Sequence, residues 1–221
     1  MEDGMSNIAY TSEYLAERKE LEAKFLPEYM KQLENVWLSN GYRLERQYYE
    51  GTYKDFYEGS LFDKDGQNIF KYRNLDDDCD FASIIHHSNG HVYFLFRTEL
   101  YGYGVFDITA RKEFHFIPKA PESFIWTDVT YNPQNNILIA SGCYWACPWG
   151  IVLLDFSNPM CETKWVDIYD PFGGYTLYSD IDFAGWRENN DLVLKVRQAH
   201  SSEHEEITVP QEQYRQWFVA N

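Results

Sequence analysis

Between residues 12 and 39 the apolar positions Leu15, Leu21, Phe25, Met30, Leu33 and Trp37 recur at roughly helical intervals, with Glu and Lys between them. Spacing of three and four residues places such positions on one helix face. Thr11 or Ser12 suits the N-cap, and Glu13 is favourable in the first turn. Pro27 interrupts the pattern but fits the first turn of a second helix, where its missing N–H costs nothing. The spacing therefore predicts two helices, about 12–26 and 27–39, stopped by Asn40-Gly41. Their apolar stripe must be buried, against the rest of the chain or, alternatively, on a partner.

After Gly41 the period changes. Residues 43–57 are aromatic-rich and fit neither template. From Ser60 onward the pattern reads as strands joined by tight turns. Asp65-Gly66, Asn89-Gly90, Asn135-Asn136 and Asn189-Asn190 are the turn signals, each flanked by apolar alternation. At the far end Tyr214, Trp217 and Phe218 follow Pro210 at helical spacing and predict a short helix.

The turns align in an internal repeat. Asp80-Phe81-Ala82-Ser83-Ile84-Ile85 leads to Asn89-Gly90 and then His91-Val92-Tyr93-Phe94-Leu95-Phe96. Asp128-Val129-Thr130-Tyr131-Asn132-Pro133 leads to Asn135-Asn136 and Ile137-Leu138-Ile139-Ala140. Asp182-Phe183-Ala184-Gly185-Trp186 leads to Asn189-Asn190 and Asp191-Leu192-Val193-Leu194. The first two units continue into third strands, Gly104 to Ile108 and Gly150 to Phe156, and then fourth strands. Residues 60–72 form a shorter, degenerate member. The second unit resembles a blade of a β-propeller of the WD-repeat type: a strand ends in Asn-Pro, a turn and a small-residue strand follow, and the third strand closes in Leu-Asp-Phe-Ser. The resemblance covers about residues 60–207. The Gly-His and Trp-Asp signatures are absent and unit length is irregular. A closed propeller needs roughly 4–8 blades, so the resemblance implies a small or incomplete propeller, or an open antiparallel sheet reusing the same hairpins. The expected fold is mainly β, in antiparallel propeller-like units with an N-terminal helical segment. Residues 1–41 form that segment, 42–208 the β domain of three to four units, and 209–221 the terminal helix.

Composition narrows the partners. With 35 acidic and 19 basic residues, the net charge of −16 repels phosphate backbones and anionic headgroups. Direct nucleic-acid or membrane binding is not expected. The excess acid either serves only to keep the chain in solution or recognises a protein partner, a basic one, and composition does not separate the two. The first six residues lack an apolar stretch, and no run is long enough to span a bilayer, so a cytoplasmic location is expected. Cys79, Cys143, Cys147 and Cys161 then read as thiols, not as a disulfide framework.

Candidate chemistry is sparse. Cys143 and Cys147 lack a second pair at zinc spacing. His87 and His91 flank a turn without an acidic third ligand, and His200 and His204 sit in a polar stretch without helical pattern. Asp63-Lys64-Asp65-Gly66 lacks the later acidic positions of a calcium loop. Asp76-Asp77-Asp78 and Asp80 form a dense acidic run, and Asp180 and Asp182 alternate on one strand face. The leading aspartates Asp80, Asp128 and Asp182 are expected to bond turn amides. No nucleophile elbow, zincin or P-loop motif occurs, so no catalytic residue, metal or cofactor is assigned.

The most suggestive stretch is Cys143-Tyr144-Trp145-Ala146-Cys147-Pro148-Trp149-Gly150, aromatic-rich between two predicted strands. Tyr101 and Tyr103 occupy the same place one unit earlier. Tyr101, Tyr103, Tyr144, Trp145 and Trp149 are thus an expected aromatic binding face, the alternative being a small core capping the sheet. Two functions remain open. One is a non-catalytic acidic module binding a basic protein, in the manner of an inhibitor or immunity-type protein. The other is a carbohydrate-active or other hydrolase, with these aromatics stacking on ligand and Asp128 or Asp180 doing acid/base work.

Overall fold

A computed structural model describes residues 11–51, 54–76, 81–118, 123–144 and 149–219. The chain is mainly β. Helix α1, Ser12–Glu22, precedes strands β1, Met30–Trp37; β2, Arg43–Tyr49; β3, Phe56–Phe62; and β4, Asn68–Asn74. Then come β5, Ala82–His86; β6, Val92–Arg97; β7, Tyr103–Asp107; and β8, Lys112–Phe116. They are followed by β9, Ile125–Asn132; β10, Ile137–Cys143; β11, Trp149–Asp155; and β12, Trp165–Asp167. Strands β13, Tyr178–Trp186; β14, Leu192–Gln198; and β15, Glu205–Val209 lead to helix α2, Gln211–Trp217. The strands form four open antiparallel meanders in chain order: β1–β4, β5–β8, β9–β12 and β13–β15. Such small sheets are consistent with blade-like units. No helix among the described residues is long and apolar enough to cross a membrane.

The first helix forms but ends at Glu22, four residues short of the expected end, with the Thr11 hydroxyl accepting the Tyr14 N–H. The second does not. Pro27–Tyr29 makes a single 3-10 turn, and Met30–Trp37 is a strand paired to β2. Strand pairing here overrides a helix-compatible pattern, and Val36 and Leu38 pack against an aromatic core from the extended chain. The ambiguous stretch at 43–57 holds β2 and the start of β3. The expected terminal helix is α2.

The chain divides into two compact units. One comprises residues up to His86 and His91–Ser123; the other comprises His87–Gly90 and Phe124 onward. The first is built on aromatics: Tyr57, Tyr72, Phe94, Phe96 and Phe106 with Leu44 and Leu61. Phe70 stacks on Phe106 at 4.1 Å between centroids. Gly104 makes room for Phe96, whose Cζ would lie 2.2 Å from a Cβ there. Leu21 of α1 joins Tyr49, Phe56 and Leu75 in a second cluster.

The core of the second unit is more aliphatic: Ile137, Ile139, Ile151, Leu153, Ile181, Leu192, Leu194 and Val196, with Tyr169 and Tyr214. A polar clamp fixes its hairpin turns. Asn132 Nδ2 donates to Asn190 Oδ1 at 3.1 Å, and Asn135 Nδ2 donates to the Tyr214 hydroxyl at 3.0 Å. That hydroxyl donates to the Asn190 carbonyl at 2.8 Å, so α2 is tied to both turns. Asn136 and Asn190 take positive φ, which asparagine tolerates better than most residues.

Candidate functional site

The end of β12 starts a cluster of acidic and aromatic side chains in the second unit. Asp167, 7% exposed, accepts the Tyr169 N–H at 2.9 Å on Oδ1 and the Tyr175 hydroxyl at 2.7 Å on Oδ2. One carboxylate thereby sets both rings, which stack at 4.2 Å. The Tyr169 hydroxyl donates to the Trp149 carbonyl at 2.8 Å. Its ring lies against Gly150, where a Cβ would meet Cε2 at 2.7 Å. Tyr144 meets Tyr175 edge-on at 6.4 Å and Phe124 at 5.4 Å.

Further acid surrounds these rings. Burial pushes the Tyr169 phenol up, and the charges of Asp180, Asp167 and Asp182 push it further. Asp182 is raised by burial and by Asp180, while His204 and Lys195 pull it back. Asp170 is raised by burial and by Asp167. Arg197 Nε answers Asp180 at 2.6 Å. Asp167, Asp180 and Asp182 thus act on the Tyr169 ring, with Asp170 beside Asp167, and burial together with a like-charged neighbour weakens Asp170 and Asp182 as acids. Tyr175 is 38% exposed and Leu177 54%, so the cluster opens to solvent. The arrangement presents negative charge and aromatic faces together, which suits a cation.

The five expected aromatic residues divide. Tyr144 joins the cluster through Tyr175. Trp149 contributes its carbonyl, but strand alternation sends its side chain to the face of β11 opposite the Tyr169 ring. Tyr103 is 4% exposed and packs on Phe116 in the first unit, as core. Tyr101 is half-buried in the β6–β7 loop of that unit. Trp145 lies outside the described residues, as do Cys79, Cys147, Asp77, Asp78 and Asp80.

Among the carboxylates, Asp128 is exposed on β9 opposite Ser141, and among the described residues no turn amide donates to it. The aspartates that bond turn amides are different ones. Asp107 Oδ1 accepts from Ala110 N and Asp155 Oδ1 from Ser157 N, each at the end of the third strand of its sheet. His87 and His91 go separate ways. His87 bonds the Phe156 carbonyl at 2.8 Å, and His91 bonds Asp107 at 2.7 Å.

Sequence reasoning missed Asp167, Tyr169, Asp170 and Tyr175. The available signal was the run Asp167-Ile168-Tyr169-Asp170-Pro171, which alternates acid and aromatic just past a strand end. The first unit holds a hollow of about 360 Å³ walled by Arg18, Lys71, Arg73 and His115. Its three guanidinium and ammonium groups already face Glu22 or Glu58 at 3.0–3.7 Å, which leaves it the weaker site.

No family model matches the chain, and no curated protein matches it. A solved structure described as "Crystal structure of the eukaryotic initiation factor" is similar over 81% of this chain and 43% of that one, at 13% identity and a TM-score of 0.37. The chain therefore spans less than half the length of that structure, and so distant a likeness carries no argument about function.

Proposed function

We propose that the chain is a non-catalytic interaction module whose second unit binds a cationic group on a protein partner, in the manner of an inhibitor or immunity-type protein. The observation that carries this reading is the charge of Asp167, Asp180 and Asp182 acting on Tyr169 of the stacked pair Tyr169–Tyr175, with Asp170 beside Asp167. A Lys or Arg seated there gains carboxylate and ring-face attraction together, and relieves repulsion already present. The same reading takes the four meanders as blades related to the WD type. A hydrolytic reading has less support, because Asp128 lies on β9 opposite Ser141 and is not among the carboxylates acting on Tyr169.

Affinity capture from a lysate at low salt, repeated at high salt, tests the proposal. A basic protein is retained at low salt and released at high salt. Asp170→Asn together with Asp182→Asn weakens retention at least tenfold, and Tyr175→Ala weakens it as well. Retention of nothing basic at low salt, or retention indifferent to all three changes, overturns it.

A further inference from the structure

Among the described residues, strand β1 is the edge of the first sheet and its only neighbour there is β2. Natural edges are usually blunted by charge, proline or a covering loop. This one is not. Trp37 is 73% exposed, Leu33 51% and Met30 49%. Between Leu33 and Trp37 the one charge is Glu34, already met by Arg46 at 3.3 Å and the Tyr48 hydroxyl at 3.0 Å. The stretch is thus electrically neutral in a chain of net charge −16.

The backbone of this edge has a definite polarity. Leu38 N donates to the Tyr42 carbonyl at 2.9 Å, making Leu38 and Tyr42 a hydrogen-bonded pair. Such pairs alternate along an antiparallel ladder. Val36 opposite Leu44 and Glu34 opposite Arg46 continue the bonded set. Leu33, Asn35 and Trp37 therefore aim their N–H and C=O groups away from β2, toward the open edge. These same residues carry the exposed side chains of this stretch.

We propose that β1 pairs antiparallel with β1 of a second copy of this chain, centred on Asn35. In that register Asn35 faces its own counterpart, and Leu33 faces Trp37 twice, once on each side of the two-fold axis. All three pairs use outward backbone groups, giving about six inter-chain hydrogen bonds. The register stays clear of the irregularity between Met30 and Gln32. It sets Glu34 against Val36, so no like charges oppose each other. Two four-stranded sheets become one continuous sheet, and the two most exposed apolar side chains of the edge cover each other. A second copy is favoured over an unrelated strand because the pattern apolar, polar, aromatic on alternate positions is self-complementary about Asn35.

Light scattering after size exclusion, over a range of micromolar concentrations, tests the pairing. The full chain runs at twice its 26.2 kDa mass. Trp37→Lys weakens the association at least tenfold without changing the circular dichroism spectrum. Asn35→Pro removes an outward N–H and does the same, which separates backbone pairing from mere side-chain stickiness. Asn35→Cys supplies a readout of register under oxidising conditions. Directly opposed residues lie about 5.5 Å apart at Cα, within disulfide reach. A new covalent dimer is therefore expected from Asn35→Cys and not from Leu33→Cys. A wild-type monomer at every concentration overturns the proposal, and so does a dimer indifferent to Trp37→Lys and Asn35→Pro. A covalent dimer from Leu33→Cys but not Asn35→Cys overturns the register.

Discussion

Glu99 is 7% exposed in the β6–β7 loop. Its main-chain carbonyl accepts from Arg97 Nε at 2.9 Å, yet no ion pair or hydrogen bond among the described residues reaches its carboxyl. Burial therefore pushes that carboxyl up from 4.5 to about 7. The folded protein then holds a proton that the unfolded chain has released between these two values. Stability is unaffected below about pH 4.5, where both states are protonated, and falls as pH rises toward 7. The full cost, on the order of 3 kcal/mol, is present above that window. Glu99→Gln is expected to flatten the decline in denaturation midpoint between pH 4.5 and 7. An unchanged slope would show that the charge is solvated in the native state. The sequence concealed this residue, because Glu between Thr98 and Leu100 reads as an ordinary exposed loop charge. Tyr103 was misleading in the opposite sense. Its alignment with the aromatic stretch of the following unit suggested a loop, whereas Phe116 across the ladder draws it into the core.

At the scale of elements, the hairpins were legible and their partners were not. Asn89-Gly90, Asn135-Asn136 and Asn189-Asn190 each mark a real turn, since few residues adopt the required positive φ. The strand at Met30–Trp37 was not legible, because Met30, Leu33 and Trp37 also match helical spacing and only pairing with β2 decides between them. Two substitutions test how tightly such elements are seated. Gly104→Ala drives a Cβ into the ring of Phe96, which is fully buried against Tyr72 at 4.3 Å and cannot yield cheaply. A loss of about 1–3 kcal/mol is expected in chemical denaturation. Tyr214→Phe keeps the ring but removes the hydroxyl shared by Asn135 and the Asn190 carbonyl. Leaving those groups buried and unmatched is expected to cost about 1–3 kcal/mol. The candidate site was half visible at this scale. Asp180 and Asp182 alternate on β13 as their spacing implied. The turn after β12 that brings Asp167 and Tyr175 beside them is a tertiary event without a local signature.

For the molecule as a whole, the charge of −16 gives the two proposed contacts opposite responses to salt. The acidic face of the second unit attracts a cation, so added salt screens an attraction and weakens capture. Pairing through β1 brings two chains of like charge together across a neutral stretch. Added salt there screens only the long-range repulsion, while the hydrogen bonds and the Leu33–Trp37 contacts persist. Raising ionic strength from about 0.01 M to 0.15 M shortens the screening length from about 30 Å to about 8 Å. Over that range the dimer is expected to tighten several-fold in sedimentation equilibrium, while partner retention falls. The variants must separate in the same way. Trp37→Lys weakens the salt-strengthened association at least tenfold and leaves capture intact, and Asp170→Asn with Asp182→Asn does the reverse. If both associations weaken together with salt, self-association runs through charge rather than through the β1 edge. If the Trp37 variant also loses the partner, the two surfaces are one.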